Sequence, residues 1–167
     1  IDVKSLEDED YVNNHYIVLC TKQGIINKSR LKDFSRPRQN GTKGITIKED
    51  DQRLEAKLTD GNCEIMMAVK SGRAIRFPEL KVRPTGRGGI GVAGIDVDDA
   101  TDEVVGMVCV NVEDKTKTVL VVSANGYGKR TFLDDPETGE ANYRITNRGG
   151  KGVKTISVTA KTGSLVG

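Results

Sequence analysis

Apolar and polar residues alternate along this chain in short runs, and the same order of runs occurs three times. Each repeat begins with an apolar run, a glycine-centred turn and a second run that carries cations, in residues 17–31, 64–80 and 118–133. Ser-Gly and Asn-Gly dipeptides between alternating apolar runs are strong signals for a β-hairpin. The pattern therefore predicts three antiparallel hairpins.

Each hairpin is followed by a glycine-rich turn, a third run and, after an acidic turn, a fourth apolar run. The glycine-rich turns with their runs occupy residues 39–50, 86–99 and 147–160, and the fourth runs occupy residues 53–59, 103–112 and 164–167. The hairpin glycines Gly24, Gly72 and Gly126 recur at intervals of about 50 residues, which is typical of blade-type repeats. Because four short strands per repeat occur without a helical period, the pattern predicts an all-β, propeller-like array of four-stranded antiparallel blades.

We interpret the chain as a single partial domain of about three blades. Residues 1–15 are expected to end a preceding blade with a closing strand and a loop. Residues 16–62 and 63–117 form the next two blades, and residues 118–167 form a third, incomplete blade. Relative to the other repeats, the third has extra residues at 134–143, whose proline, glycine and acidic side chains predict a surface loop.

The composition leaves little material for catalysis. The 167 residues include 3 cysteines and 1 histidine, no Cys-x-x-Cys pair and no phosphate-binding loop of the Walker type. Each cysteine lies in or beside an apolar run, which favours buried, reduced thiols and a cytoplasmic location. With His15 as the single histidine, we expect no catalytic residue, no metal site and no cofactor. No apolar run approaches the length of a membrane span, so no membrane partner is expected either.

Gly86, Gly88 and Gly91 satisfy the G-x-G-x-x-G pattern of dinucleotide-binding proteins. That pattern must follow a strand and begin a helix, whereas Pro84 precedes these glycines and an alternating, strand-like run follows them. A turn between strands is therefore the favoured interpretation.

The formal net charge of +2 conceals an alternation of basic and acidic segments. Residues 22–48 hold eight cations and one anion, and residues 70–87 hold six cations and one anion. Residues 49–64 and 96–115 are acidic, with six and seven anions. When repeats stack, equivalent segments align, so the basic segments are expected to form a belt with the acidic turns displaced from it. Such a belt favours binding of a polyanion, since phosphates relieve the repulsion among the cations.

The candidate phosphate-binding residues are cations of the basic segments and of the third repeat. They are Lys22, Lys28, Arg30, Arg36, Arg38, Lys43, Arg73, Arg76, Lys81, Arg83, Arg87, Lys129, Arg130, Arg148, Lys151 and Lys154.

The stretch NRGGKGVK, residues 147–154, sets glycines directly beside three of these cations. One interpretation is a nest of backbone N–H groups that cradles an anion. The other is a strained turn in which only glycine tolerates the backbone conformation. Because a similar glycine-rich turn occurs in every repeat, both interpretations stay open at the level of sequence.

Two parts of the sequence resemble a known family. They are SANGYGKRTFL (residues 123–133) followed by NRGGKGVKTISV (residues 147–158), and MMAVKSGRAIRF (residues 66–77). These stretches are similar to the C-terminal domain of the DNA gyrase A subunit, a type IIA topoisomerase, whose blades form a β-pinwheel, usually of six. In that family residues 148–152 would correspond to the glycine-basic box, although Asn147 stands before a single arginine here.

The resemblance implies that double-stranded DNA is bound without sequence specificity and wrapped around a basic rim. It further implies that the chain is part of the gyrase A subunit, acting with the rest of that polypeptide and with the gyrase B subunit. The holoenzyme would use ATP to introduce negative supercoils, with its catalytic tyrosine and ATP site in other domains or subunits. The alternatives are the corresponding C-terminal domain of topoisomerase IV and a propeller-like protein-interaction module.

Overall fold

The computed structural model describes residues 2–36, 40–41, 44–98, 100–114 and 116–167. These residues form two four-stranded antiparallel sheets and one two-stranded sheet, which confirms the all-β prediction. The strands are β1 (Tyr16–Thr21), β2 (Ile25–Arg30), β3 (Arg53–Thr59), β4 (Cys63–Val69), β5 (Arg73–Pro78), β6 (Val92–Ala93), β7 (Val104–Asn111), β8 (Thr118–Val122), β9 (Gly128–Phe132) and β10 (Val153–Lys154).

The three predicted hairpins are β1–β2, β4–β5 and β8–β9, and each one turns at the predicted glycine. In the first sheet the strand order is β3-β1-β2-β6, and in the second it is β10-β5-β4-β7. The first strand of each of the first two hairpins therefore lies inside its sheet, between the second strand and the closing strand of the same repeat.

The fourth strand of each four-stranded sheet comes from the next repeat. Strand β6 of the second repeat pairs with β2, and β10 of the third repeat pairs with β5. Both are two-residue strands that directly follow a glycine-rich turn. Consecutive repeats thus share a sheet, an arrangement that we call strand exchange. The blade boundaries at residues 16, 63 and 118 stay a prediction.

The third sheet contains the hairpin β8–β9, and the last residues of the chain lie along β8. Ser123 and Leu165 form an antiparallel bridge, and the N–H of Val166 donates to the carbonyl oxygen of Val122 at 2.9 Å. Residues 164–167 thus occupy the place that β3 and β7 occupy in the other sheets.

The N-terminal residues form two short helices, α1 (Val3–Glu7) and α2 (Glu9–Asn14), so the closing strand expected there is wrong. The cause is local capping. The Asp2 carboxylate accepts from the N–H of Ser5, and the Asp8 carboxylate accepts from Asp10 and Tyr11. These bonds satisfy N–H groups that have no partner inside a helix.

Apolar side chains fill the space between consecutive sheets. The larger cluster joins both four-stranded sheets and contains Val18, Cys20, Ile26, Ile65, Met67, Val69, Ile75, Phe77, Val82, Ile95, Val104 and Met107. A smaller cluster joins the second sheet to the third repeat and contains Met66, Ala74, Val110, Leu133 and Tyr143. Burial also raises the pKa of Cys20 and of Cys109 to about 12, so both thiols stay protonated at neutral pH.

The glycine-rich turns bring two backbones closer than a side chain allows. Gly152 has a φ of 79°, and a Cβ atom on it would collide with the carbonyl oxygen of Ala74 in β5. Gly91 stands in the same relation to Ile26 in β2. Glycine is therefore required where β6 and β10 reach the preceding sheet.

We expect Gly152→Ala to lower the free energy of unfolding by about 2–5 kcal/mol, because it adds a steric clash to left-handed backbone strain. Gly139→Ala is the matched control, since Gly139 has a φ of 73° but no heavy atom within 4 Å of an added Cβ. Backbone strain alone should cost about 1–2 kcal/mol there. Urea unfolding followed by circular dichroism measures both variants, and equal losses would show that the close approach does not matter.

Candidate nucleic-acid interface

The candidate cations differ widely in exposure. Arg38 and Lys43 lie outside the described residues. Lys22, Arg73, Arg87 and Arg148 are half-buried, and Lys28 and Arg76 are buried. The exposed ones are Arg30, Arg36, Lys81, Arg83, Lys129, Arg130, Lys151 and Lys154.

Lys28 is part of the packing between the first two blades. Its side chain is 3% exposed, and its Nζ lies 3.2 Å from Oε1 of Glu79, which is itself fully buried. The ammonium group also lies 4.3 Å from the centre of the Tyr16 ring. The Glu79 carboxylate accepts in addition from the Thr59 hydroxyl and from the N–H of Cys63. A phosphate cannot reach Lys28, so its assignment to the DNA-binding set is corrected.

Arg76 has the same role between the second and third repeats. Its Nη1 lies 2.8 Å from Oδ1 of Asp134, its Nε donates to Glu64, and its Nη1 also donates to the carbonyl oxygen of Tyr143 at 3.0 Å. Burial acts to lower the pKa of Arg76, but Asp134 and Glu64 outweigh it and raise the pKa. All three guanidinium nitrogens donate to acceptors inside the protein, and the side chain is buried, so Arg76 is also removed from the DNA-binding set.

Arg87 and Arg148 hold their glycine-rich turns to the preceding repeat. Arg87 Nη1 donates to the carbonyl oxygen of Asp33 at 3.2 Å, and Arg148 Nε donates to that of Lys81 at 3.0 Å. Arg148 Nη1 also donates to the carbonyl oxygen of Ala93 at 3.1 Å. Both arginines are therefore partly committed to the fold.

The backbone of the third glycine-rich turn is also tied inward. The N–H of Gly149 donates to the carbonyl oxygen of Gly94 at 2.7 Å, and the carbonyl oxygen of Gly150 accepts from the N–H of Asp96 at 2.8 Å. The N–H of Gly149 is thus turned toward protein. The geometry supports the strained-turn interpretation of these glycines and gives their close packing against the second repeat as the cause.

A shallow depression of about 460 Å³ lies beside this turn. Its lining includes the cations Arg144, Arg148 and Lys151, with Thr146 and Asn147 between them. Arg144 is exposed and was not among the candidates. Its signal in the sequence is its alignment with Arg83, since RITNRGG at residues 144–150 corresponds to RPTGRGG at residues 83–89. In the structure, the residue after each arginine bridges to the preceding repeat, Pro84 to Lys28 and Ile145 to Arg76.

The acidic turn of the second repeat is not displaced from these cations, contrary to expectation. Asp98 lies between two of them, with Oδ1 3.0 Å from Nζ of Lys151 and Oδ2 3.2 Å from Nη2 of Arg73. Arg73 also lies 3.5 Å from Oδ2 of Asp102. The cause is strand exchange, because β10 brings the glycine-rich turn of one repeat beside the acidic turn of the previous one.

Asp60, Cys63 and Glu79 place three possible metal-ligand atoms within 4.8 Å of one another. The Glu79 carboxylate is already engaged by Lys28, Thr59 and Cys63, and burial raises the pKa of the Cys63 thiol to about 11. The buried Lys28 ammonium thus already neutralises the Glu79 carboxylate, the innermost of the three groups. Among the described helices, none has the length and apolar character needed to cross a membrane.

Comparison with solved structures supports the fold. The C-terminal domain of a DNA topoisomerase IV matches 92% of this chain with a TM-score of 0.80 and 26% identity, over 45% of that chain. A DNA gyrase A C-terminal domain matches 92% of this chain with a TM-score of 0.74 and 27% identity, over 47% of that chain. These matches confirm the predicted β-pinwheel architecture.

Comparison of sequences also identifies gyrase A subunits as relatives of this chain. The DNA gyrase A subunit of Staphylococcus aureus (strain MRSA252) is 42% identical over 166 residues, which is 99% of this chain and 17% of that relative. The family model described as "DNA gyrase C-terminal domain, beta-propeller" matches residues 15–60, 64–111, 117–135 and 138–167. These matches include all three hairpins and the third glycine-rich turn, and the chain therefore belongs to the family of DNA gyrase C-terminal domains.

Proposed function

We propose that this chain is a DNA-binding domain of a gyrase A subunit, and that it holds duplex DNA through exposed cations that recur once per repeat. The observation that carries this proposal is the equivalence of Arg83 and Arg144. Both are exposed, and both directly precede the residue that bridges to the preceding blade. Arg36 precedes Pro37 as Arg83 precedes Pro84, which extends the series to the first repeat in the sequence.

The cations of this series suit phosphate recognition. Arginine presents a planar fork of donors that matches phosphate oxygens, and a single cation per repeat follows the backbone without reading base edges. A duplex that touches equivalent arginines on successive blades must follow their rotation and bend. Wrapping is this combination of non-specific binding and bending of the duplex.

The activity of a whole gyrase is a further part of the proposal. This chain spans 17% of the relative's length, and we place the catalytic steps and ATP use in the remainder of the gyrase A polypeptide and in the gyrase B polypeptide. In that arrangement the chain is a non-catalytic element that fixes the path of DNA toward the enzyme. The cytoplasmic location favoured by the three thiols stays a prediction.

A second candidate function is that of the topoisomerase IV C-terminal domain. The specific observation in its favour is the TM-score of 0.80 to such a domain, compared with 0.74 for the gyrase domain. The 42% identity to the staphylococcal gyrase sequence over 99% of the chain favours the gyrase assignment. A topology assay of the complete protein separates the two, because only wrapping of DNA introduces negative supercoils.

We expect Arg83→Gln and Arg144→Gln each to reduce the slope of log K against log salt by roughly 0.9, because each removes one phosphate contact. The matched control is Arg53→Gln, which removes an exposed arginine from an acidic segment. Fluorescence anisotropy with two unrelated duplexes of about 40 base pairs measures the slope. An unchanged slope for Arg83→Gln and for Arg144→Gln would remove both residues from the DNA path. A strong preference for one duplex would contradict non-specific binding.

We expect Asp98→Asn to tighten DNA binding roughly two- to fivefold, since its carboxylate pairs with Lys151 and competes with phosphate for that cation. Asp114→Asn is a control with the same change in charge, and Asp114 lies 3.7 Å from Lys117 instead. Anisotropy at fixed salt compares the two variants. Equal effects would show that only the net charge matters.

A further inference from the structure

The chain contains two Asn-Gly dipeptides, Asn40-Gly41 and Asn125-Gly126. In such a pair the backbone nitrogen of glycine can attack the asparagine side chain, because glycine has no Cβ to shield that nitrogen. The same dipeptide is a turn signal, and the two glycines have φ values of 79° and 83°. The need for a turn explains both dipeptides, whereas the contacts around each one determine whether the asparagine is protected.

Asn125-Gly126 is held by its own hairpin and by a neighbouring segment of the chain. Nδ2 of Asn125 donates to the carbonyl oxygen of Lys161 at 3.0 Å, and the N–H of Gly126 donates to that of Ser123 at 3.0 Å. Cγ of Asn125 lies 3.3 Å from the place where a Cβ on Gly163 would stand, so another backbone packs against the carboxamide. Both reacting groups are thus engaged in the folded protein.

Asn40-Gly41, in the first glycine-rich turn, has no comparable contacts. Both residues are exposed, and an added Cβ on Gly41 meets no heavy atom within 4 Å. Among the described residues, none forms a hydrogen bond with the Asn40 carboxamide or with the N–H of Gly41. The carboxamide carbon and the glycine nitrogen therefore approach each other without first breaking a bond inside the protein.

The third glycine-rich turn also contains an asparagine, but a different residue follows it. Asn147 precedes Arg148, and a residue with a Cβ hinders attack by its own backbone nitrogen. The Arg148 side chain is in addition fixed by hydrogen bonds to the carbonyl oxygens of Lys81 and Ala93. Asn40 is therefore the asparagine of the glycine-rich turns at which sequence and structure both permit the reaction.

We propose that Asn40 is a site of spontaneous covalent modification in the folded protein, where its carboxamide becomes a carboxylate. The Gly41 nitrogen loses its proton to hydroxide and bonds to Cγ of Asn40, while the carboxamide nitrogen takes up a proton and leaves as ammonia. Water then opens the succinimide ring at either of its carbonyl carbons. The products are aspartate and isoaspartate, in which the main chain runs through Cγ. The net reaction consumes one water and releases one ammonia, without an oxidant or an enzyme.

The surrounding charge favours this reaction and gives its product a consequence. Asn40 lies within residues 22–48, which hold eight cations and one anion. Positive charge nearby stabilises the deprotonated nitrogen and the anionic intermediate, and it pairs with the carboxylate that forms. The product adds an anion to the segment that carries the exposed Arg36. Weaker attraction for phosphate follows from that anion and rests on the proposed function, whereas the reaction itself does not.

We expect Asn40 to react roughly thirtyfold faster than Asn125 in the folded chain, because two hydrogen bonds must open before Asn125 can react. The chain is kept in mildly alkaline buffer and digested, and mass spectrometry of the peptides follows both sites. An isoaspartyl methyltransferase identifies the isoaspartate product. In concentrated urea the two sites should react at similar rates. Gly41→Ala should slow the reaction at Asn40 and leave that at Asn125 unchanged.

Three results would overturn the proposal. The first is an equal rate at Asn40 and Asn125 in the folded chain, and the second is a folded chain in which Asn40 does not react. The third is a rate at Asn40 that does not rise with the concentration of hydroxide. None of these measurements requires a variant, so a failure of Gly41→Ala to fold leaves the test intact.

Asn40→Asp carries the charge of the product and tests its effect on DNA. We expect it to flatten the slope of log K against log salt by at most roughly 0.9, because it offsets about one cation. Asn62→Asp makes the same change at an exposed position of an acidic segment and should leave the slope unchanged. Equal slopes for the two variants would overturn the effect on DNA. Absence of DNA binding by the unmodified chain would instead contradict the proposed function and leave the reaction at Asn40 unaffected.

Discussion

Two-residue strands, β6 and β10, connect each repeat to the sheet of the repeat before it, and the other features of the molecule follow from that pairing. The strands are short, so their position depends on the glycine turns that precede them. Gly91 and Gly152 permit the close approach, and Arg87 and Arg148 hold the turns from the other side. The result is an array in which no four-stranded sheet of the described residues is built from one repeat alone.

Cations perform two different tasks in this array, and burial separates them. Lys28 and Arg76 lie inside interfaces and are neutralised by carboxylates of the following repeat. A buried charge that loses its partner is strongly destabilising, so these residues fix which blade faces which. Arg83 and Arg144 lie on the surface and keep their charge available for an external anion. The same residue type thus supports both the assembly of blades and the proposed contact with DNA.

Much of the fold is predictable from the sequence because its signals are local. Alternation with a period of two and a glycine at each turn are enough to define the hairpins. Strand exchange is not predictable in this way, since two residues carry no period and their partner lies elsewhere in the chain. The N-terminal helices are missed for a similar reason, although the capping residues Asp2 and Asp8 are visible signals. The site is harder to predict still, because the carboxylate that pairs with the buried Lys28 belongs to Glu79, which lies 51 positions away.

Strand exchange also determines the order in which the chain can be completed during synthesis. The first hairpin ends at Arg30, but its sheet lacks a fourth strand until Ala93 has left the ribosome. At about 5–20 residues per second, that interval lasts roughly 3–13 s. Throughout it the edge of β2 is open, and the edge of β5, complete at Pro78, is open until Lys154 has been made. From Arg30 onward, a nascent chain of this kind therefore exposes at least one unpaired strand edge, and it exposes two between Pro78 and Ala93. The open edges move along the protein one repeat behind translation and are the place where a chaperone or a neighbouring nascent chain has access.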